Sequence, residues 1–194
     1  MSIPNTPKEF FCEYVPERFS ELAPDFSAVS SNGSMVFRLL GGEEFSYRLT
    51  DGRLELEAGM QEDVILQVSL SPEDFNPVLV RSAEAQEGRK ISAEHRIMAF
   101  KALTADAQKT SLVRGIRGTV AFVVQDGGAT HRIYVTPGPS EPNTESPDCR
   151  LECSMTDFLE MQMGSSNPMQ LAMSGKIRIV GNAQIPMALS SVFV

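Results

Sequence analysis

One feature constrains this chain more than any other: it runs through the same order of folding signals twice. "GSMVFRLLGGEEFSYRL", residues 33–49, lines up with "GTVAFVVQDGGATHRIYV", residues 118–135, apart from a one-residue slip after the turn. Further along, "LQVSLSPEDF" matches "CRLECSMTDF", so that Ser71, Asp74 and Phe75 meet Ser154, Asp157 and Phe158. Apolar, alternating segments around a glycine-rich turn mark paired antiparallel strands. A serine with an acid three residues on marks a helix start, where the side chains take up free backbone N–H groups. Each half therefore reads as strand, turn, strand, variable segment, strand and capped helix. That order defines an α+β fold: mainly antiparallel sheet, in one piece or more, covered by helices and carrying an internal repeat.

The variable segments separate the halves. In the first, "FSYRL" and "RLELE" flank Asp51-Gly52, a hairpin signal. In the second the same place holds "TPGPSEPNTESPD", with Pro137, Pro139, Pro142 and Pro147. Proline removes ladder donors, so a mobile loop is expected there instead of a strand. Residues Thr6 to Leu22 read as a helical opening interrupted at Pro16, and polar Arg81 to Lys90 as a loop. From Ser92 to Gly115 a helix is expected, with Ile97, Phe100, Ala102, Leu103, Ala107 and Leu112 on its apolar face. In the tail, a helix from Ser154 to about Met163 closes at Gly164, and a second starts at Asn167-Pro168 and runs through Met173. Gly175 leads into a strand over Lys176 to Val180, Gly181-Asn182 turns the chain, and "AQIPMALSSVF" makes a last apolar helix or turn.

Composition bounds the partners. The 194 residues are 42% apolar and 22% charged, enough for one large globular domain or two small ones. A net charge of −8 and a pI near 4.8 argue against a nucleic-acid partner and allow at most transient membrane contact. No run approaches the ~18 apolar residues of a spanning helix. Neither the N-terminal "MSIPNTPKEFFCEYVPERF" nor the C-terminal "SSVFV" has the pattern of a targeting signal. Cys149 and Cys153 fall in "CRLEC", where four strand steps separate them by roughly 13 Å, too far for the roughly 7 Å a disulfide spans. Reduced thiols and a cytoplasmic location are expected. With two histidines and no CxxC motif, neither a metal nor any other cofactor is expected.

Enzyme motifs are missing: the chain has no GxSxG, GxxxxGK[ST], GxGxxG or HExxH. His95 and His131 read as surface or packing residues, and "RGIRG" (residues 114–118) as a helix exit. Cys12 reads as part of an apolar helix face, and Glu43-Glu44 and Glu62-Asp63 as solubilising charges beside turns. No enzymatic activity is expected.

The tail "CSMTDFLEMQMGSSNPMQLAMSGKIRIVGNAQIPMALSSVF" carries a family pattern. It combines a capped helix with Phe158, Asn167-Pro168, Met173-Ser174-Gly175-Lys176, alternating Ile177 and Ile179, and Gly181-Asn182 before a final helix. It resembles the C-terminal half of the sterol carrier protein type-two (sterol-binding, lipid-transfer) domain family. The first half resembles that family's N-terminal portion, through "VPERF" and through "FRLLGGEEFSYRLTDGRLELEAGMQEDVILQVSLSPEDF", with its "DG" and with Asp63 before the next strand. A family domain is about half this length, and Phe75 is followed by "NPVLVRSAEAQEGRKISA" and not by Met-Ser-Gly-Lys. The chain thus resembles two degenerate sterol-carrier-like repeats, 1–112 and 113–194, forming either two domains or one intertwined unit. The second carries the lipid-site motif.

The resemblance implies non-catalytic binding or transfer of a hydrophobic lipid (fatty acyl, isoprenoid or sterol-like) in an apolar cavity beneath the last helix. Its wall would be Phe158, Met161, Met169, Met173, Ile185, Met187, Leu189 and Phe193. Methionine suits such a wall because it is flexible and polarizable, although an adaptable core would use it equally. The alternative is an accessory module of a larger lipid- or quinone-related assembly, without a ligand of its own. Homo-oligomerisation is left open by either reading.

Overall fold

Residues 2–22, 29–57, 59, 62–87, 101–163 and 168–193 are described in the computed structural model. The hairpin signals set the strand register. Asp51 and Gly52 take positive φ, 46° and 74°, the two-residue turn whose twist suits paired strands. This turn places Thr50 opposite Arg53 and joins β2 (Glu44–Thr50) to β3 (Arg53–Glu57). Strand β1 (Ser34–Leu39) runs antiparallel to β2 and parallel to β4 (Val64–Leu70). In the second half β5 (Val120–Asp126) stands in the same relations, antiparallel to β6 (Ala129–Pro137) and parallel to β7 (Cys149–Ser154). Strand β8 (Ile177–Gly181) pairs antiparallel with β7.

The halves join where these relations diverge. β4 pairs antiparallel with β6, setting Val68 opposite Val135, and one sheet of eight strands results, in the order β3-β2-β1-β4-β6-β5-β7-β8. β6 has β4 on the side where β2 has β3, and β4 has β6 on the side where β7 has β8. Each half is one strand short, and a strand of the other stands in that place. The proline-rich segment makes room for this, because residues 138–148 form no strand. They are nevertheless tied down, where a mobile loop was expected. Gln67 Nε2 donates to the carbonyls of Gly138 and Ser140 at 2.8 and 2.7 Å. Asn143 N donates to Thr119 Oγ1 at 2.9 Å, and Arg38 pairs with Glu141 at 3.2 Å.

Alternation divides the sheet into an apolar face under the helices and a polar face. Met35, Phe37 and Leu39 belong to one buried cluster, and Cys149, Leu151 and Cys153 to another. On the opposite face lie Ser34, Ser46, Gln67, Ser69 and Thr136, all buried. Glu44 and Asp63, read as solubilising charges, are ion-pair partners on this side: Glu44 meets Arg38 at 3.1 Å and Asp63 meets Arg48 at 2.8 Å.

Prolines change helix pitch here without ending helices. Helix α1 runs without a break through Pro7–Glu9, a π-helical Phe10–Tyr14 and Val15–Leu22, where an interruption at Pro16 was expected. Val15 N–H bonds the Phe10 carbonyl, and Pro16 has no N–H to offer. The Phe11 carbonyl receives the Tyr47 hydroxyl instead. Burial, then the neighbouring Cys12, hold the Tyr47 pKa well above its ordinary value, keeping it a neutral donor. Helix α2 repeats the device. Ser71 accepts from Asp74 N, and Pro72–Asp74 leads through a π-helical Phe75–Val80, containing Pro77, into Arg81–Glu87. Residues 81–87, expected as loop, are therefore helical: the turn upstream supplies the nucleus that polar patterning does not reveal.

The helix expected from Ser92 lies outside the described residues up to position 100. Beyond it the chain forms α3 (Lys101–Thr104) and, restarted by the Asp106 side chain accepting from Lys109 N, α4 (Ala107–Gly115). That restart rotates Leu112 outward to 57% exposure, off the expected apolar face. "RGIRG" is more than a helix exit: Arg114 donates to the backbone carbonyls of Asn32, Asp63 and Val64. Only glycine fits at position 33, where a Cβ would overlap the Arg114 guanidinium and the Asp63 carbonyl. The tail completes the fold with α5 (Met155–Gln162), α6 (Pro168–Met173) and α7 (Gln184–Phe193).

Candidate functional site

The second cluster is built by the three tail helices closing on β5, β7 and β8. Ser154 accepts from Asp157 N and starts α5, which turns Phe158 (2% exposed) and Met161 (6%) onto Val124, Leu151 and Ile177. Helix α7 is seated by a close approach at Gly118, which has φ +112°. A Cβ there would come within 2.7 Å of Ile185 Cδ1 and 2.9 Å of the Asp148 carboxylate. Ile185 is thereby buried at 5% exposure, and Leu189, one turn on and half-buried, packs against both clusters.

The expected wall thus divides. Phe158, Met161, Ile185 and Leu189 come together. Met173 (83% exposed) and Met187 (48%) face outward. Met169 and Phe193 belong to α6 and α7, and their side chains lie outside the described residues. Two residues that the sequence reading missed, Val68 on β4 and Leu79 on α2, also pack against both clusters. The Val68–Val135 pairing that brings the halves together was the signal for the first of them, and it appears only once register is known.

Polar groups around the cluster are engaged in structure. Lys176 meets Asp157 at 3.2 Å and Glu160 at 3.1 Å, and Arg178 meets Glu152 at 3.4 Å. The Ser154 hydroxyl, and after it Lys176, hold the Asp157 carboxyl below its usual range against the opposing effect of burial. Burial, then Asp157, push the Cys153 thiol up to about 11, and burial, then Asp148, raise that of Cys149. Both cysteines are free, and as neutral thiols they are poor nucleophiles.

One constellation has the residue types of a hydrolytic triad. His131 Nδ1 lies 2.9 Å from Asp74 Oδ1, and the Ser71 hydroxyl donates to Asp74 Oδ2 at 2.9 Å. Both groups bond the same carboxylate, which also accepts from Arg132 N at 3.2 Å. A nucleophile needs its base as hydrogen-bond partner, and here the acid stands between them. This is a helix cap tied to β6, so His131 is a packing residue, as read. His95 lies outside the described residues.

The model of the SCP-2 sterol transfer family matches residues 98–194, half of the chain. The chain belongs to this family. No curated protein matches it. Among solved structures it is similar to the sterol carrier protein domain 2 of Helicoverpa armigera, at 24% identity over 50% of this chain and 84% of that one, TM-score 0.36. It is similar to sterol carrier protein 2 of Yarrowia lipolytica in its apo form, at 22% identity over 52% and 84%, TM-score 0.36. Palmitated SCP2L2 from Aedes aegypti is similar at 17% identity over 52% and 92%, TM-score 0.35. At such TM-scores these likenesses add nothing to what the family match establishes. Among the described residues no helix is long and apolar enough to cross a membrane.

Proposed function

We propose that the protein binds a hydrophobic lipid reversibly, under its C-terminal helix, and performs no chemistry on it. The observation that supports this reading is the family match over residues 98–194, whose last element, α7, lays Ile185 and Leu189 over a core of Phe158 and Met161. Each methylene withdrawn from water contributes about 0.8 kcal/mol, so affinity requires no polar anchor. Met173 and Met187, being exposed, serve as surface contacts met on entry. The chain is read as two degenerate repeats, 1–112 and 113–194, fused into one unit, because β1, β2 and β4 stand to one another as β5, β6 and β7 do. Native mass spectrometry and lipid extraction of the purified protein test the function. Co-purifying lipid and saturable uptake of a fluorescent fatty acid are expected; a lipid-free protein that ignores such probes sinks the reading.

A second reading, an accessory module of a lipid- or quinone-related assembly, is favoured by exposed Leu112 and Met187, apolar side chains on the contacting helices α4 and α7. An exposed apolar patch is the mark of an interaction surface. A filled interior together with lost partner capture in a Leu112→Ser/Met187→Ser variant would decide for it.

A further inference from the structure

An open sheet has two edges, and among the described residues they are β3 and β8. A row of unpaired N–H and C=O groups is a template for another strand, and natural edges are blunted by proline, bulges or charge. Both strands lack proline and pair with their neighbours in unbroken register. Their charges, moreover, differ in sign. Glu55, exposed on the polar face of β3, has no ion-pair partner among the described residues. Arg178, on the polar face of β8, has a side chain 77% exposed that meets Glu152 at 3.4 Å. On the helix-covered face, Leu56 stands in a row with Tyr47 and Met35. Those two are buried, whereas Leu56 is 44% exposed.

The two backbones are in phase. Thr50 and Arg53 flank a two-residue turn and form a hydrogen-bonded pair. Bonded positions alternate along a strand, which turns the N–H and C=O of Leu54 and Leu56 away from β2. At the other edge, Asn182 N donates to Asp148 O at 2.8 Å. Val180 and Arg178 therefore bond β7, and the backbone groups of Ile177 and Ile179 point outward. Setting Glu55 opposite Arg178 in antiparallel order brings Leu54 against Ile179 and Leu56 against Ile177. Outward groups then meet outward groups, the four apolar side chains share the helix-covered face, and the opposite charges share the polar one. Self-pairing does not achieve this. β3 against β3, fully overlapped, sets Glu55 opposite itself, and β8 against β8 offers Arg178 no carboxylate.

We propose that β3 and β8 are the two sides of one interface: the β3 edge of one copy of this chain adds to the β8 edge of a second copy, with Glu55 opposite Arg178. Main-chain hydrogen bonds supply the affinity and the side-chain order supplies the register. The contact is heterologous, so it extends the sheet from copy to copy without closing. One strand is a small contact, and a net charge of −8 per copy opposes long rows. Association is therefore weak and rises with concentration. Glu55 and Arg178 lie on the face away from the proposed lipid wall, so exchanging them leaves that reading untouched.

Sedimentation velocity of the full chain over a concentration series tests the proposal, and the sedimentation coefficient is expected to rise with concentration. Glu55→Arg or Arg178→Glu alone places like charges in every junction and is expected to weaken association about tenfold. An equal mixture of the two variants restores it, because one junction regains opposite charges in exchanged order and the next keeps the original pair. Misfolding or a change in net charge does not produce such recovery. Hydrogen exchange of the unmodified protein covers a variant that fails to fold: the Leu54, Leu56, Ile177 and Ile179 amides gain protection at high concentration. A chain that stays monomeric throughout, or protection confined to other residues, overturns the interface. Association that ignores both substitutions, or a mixture no more associated than its components, overturns the Glu55–Arg178 register.

Discussion

The two halves share strand relations and differ in what fills them. The first core is aromatic and interlocked: Phe11 stacks on Phe45 at 4.5 Å between centroids, and Phe10 meets Phe75 edge-on at 5.3 Å. The second packs Met155, Met161, Cys149 and Cys153 around Phe158. Rings fix their neighbours through both size and geometry, whereas thioethers adapt to whatever space remains. By these rules the first core is expected to be the more constrained of the two and the second the more adaptable. The largest test of that contrast is Phe11→Ala. It removes a side chain only 1% exposed from a ring cluster that cannot collapse, and is expected to cost about 3–5 kcal/mol, measured by urea denaturation. A cost near that of an exposed residue would show the first core to be as adaptable as the second.

Next in size is Tyr47→Phe. The ring stays, but the Phe11 carbonyl loses the hydroxyl that replaces its helical partner. Leaving a buried carbonyl unpaired costs ~1–3 kcal/mol, and hydrogen exchange in the π-helical turn of α1 should quicken with the fall in stability. Unchanged exchange would mean that the π turn holds without the bond. The matching test in the second half is Met161→Leu, a volume-conserving swap in an adaptable core, expected to cost no more than about 1.5 kcal/mol. A larger loss in thermal melting would erase the difference between the cores.

Local signals were legible in the sequence and long-range choices were not. Asp51-Gly52, Ser71 and Ser154 announced a hairpin and two helix caps because each acts within three or four residues. Helix 81–87 escaped because "RSAEAQE" shows no apolar stripe and continues a helix begun upstream. The pairing of β4 with β6 could not be read, since an apolar strand does not declare its neighbour. Arg114 was passed over for a related reason: its partners are backbone carbonyls distant in the chain, invisible in a pattern of residue types. That Phe158, Met161 and Ile185 are buried follows from their apolar character, whereas the outward turn of Met173 and Met187 depends on how α6 and α7 are rotated.

The smallest effect separates the two equivalent caps. Ser154→Ala removes the acceptor of Asp157 N and the donor to its carboxylate, at a cost of about 1 kcal/mol near neutral pH. The Ser154 hydroxyl is the leading cause of the lowered Asp157 pKa, so the sign of the pH dependence follows. A carboxyl with a depressed folded pKa stabilises above the unfolded value, ~3.9, and that contribution is lost as the pH falls through the folded one. The variant's deficit should therefore shrink in acid, where the wild type loses the same contribution. In the first half, Ser71→Ala leaves Asp74 still bonded to His131 and to Arg132 N, so its α2 start should tolerate the change better. Equal deficits at neutral pH, measured by paired denaturation curves, would show that the tie to β6 adds nothing to the first cap.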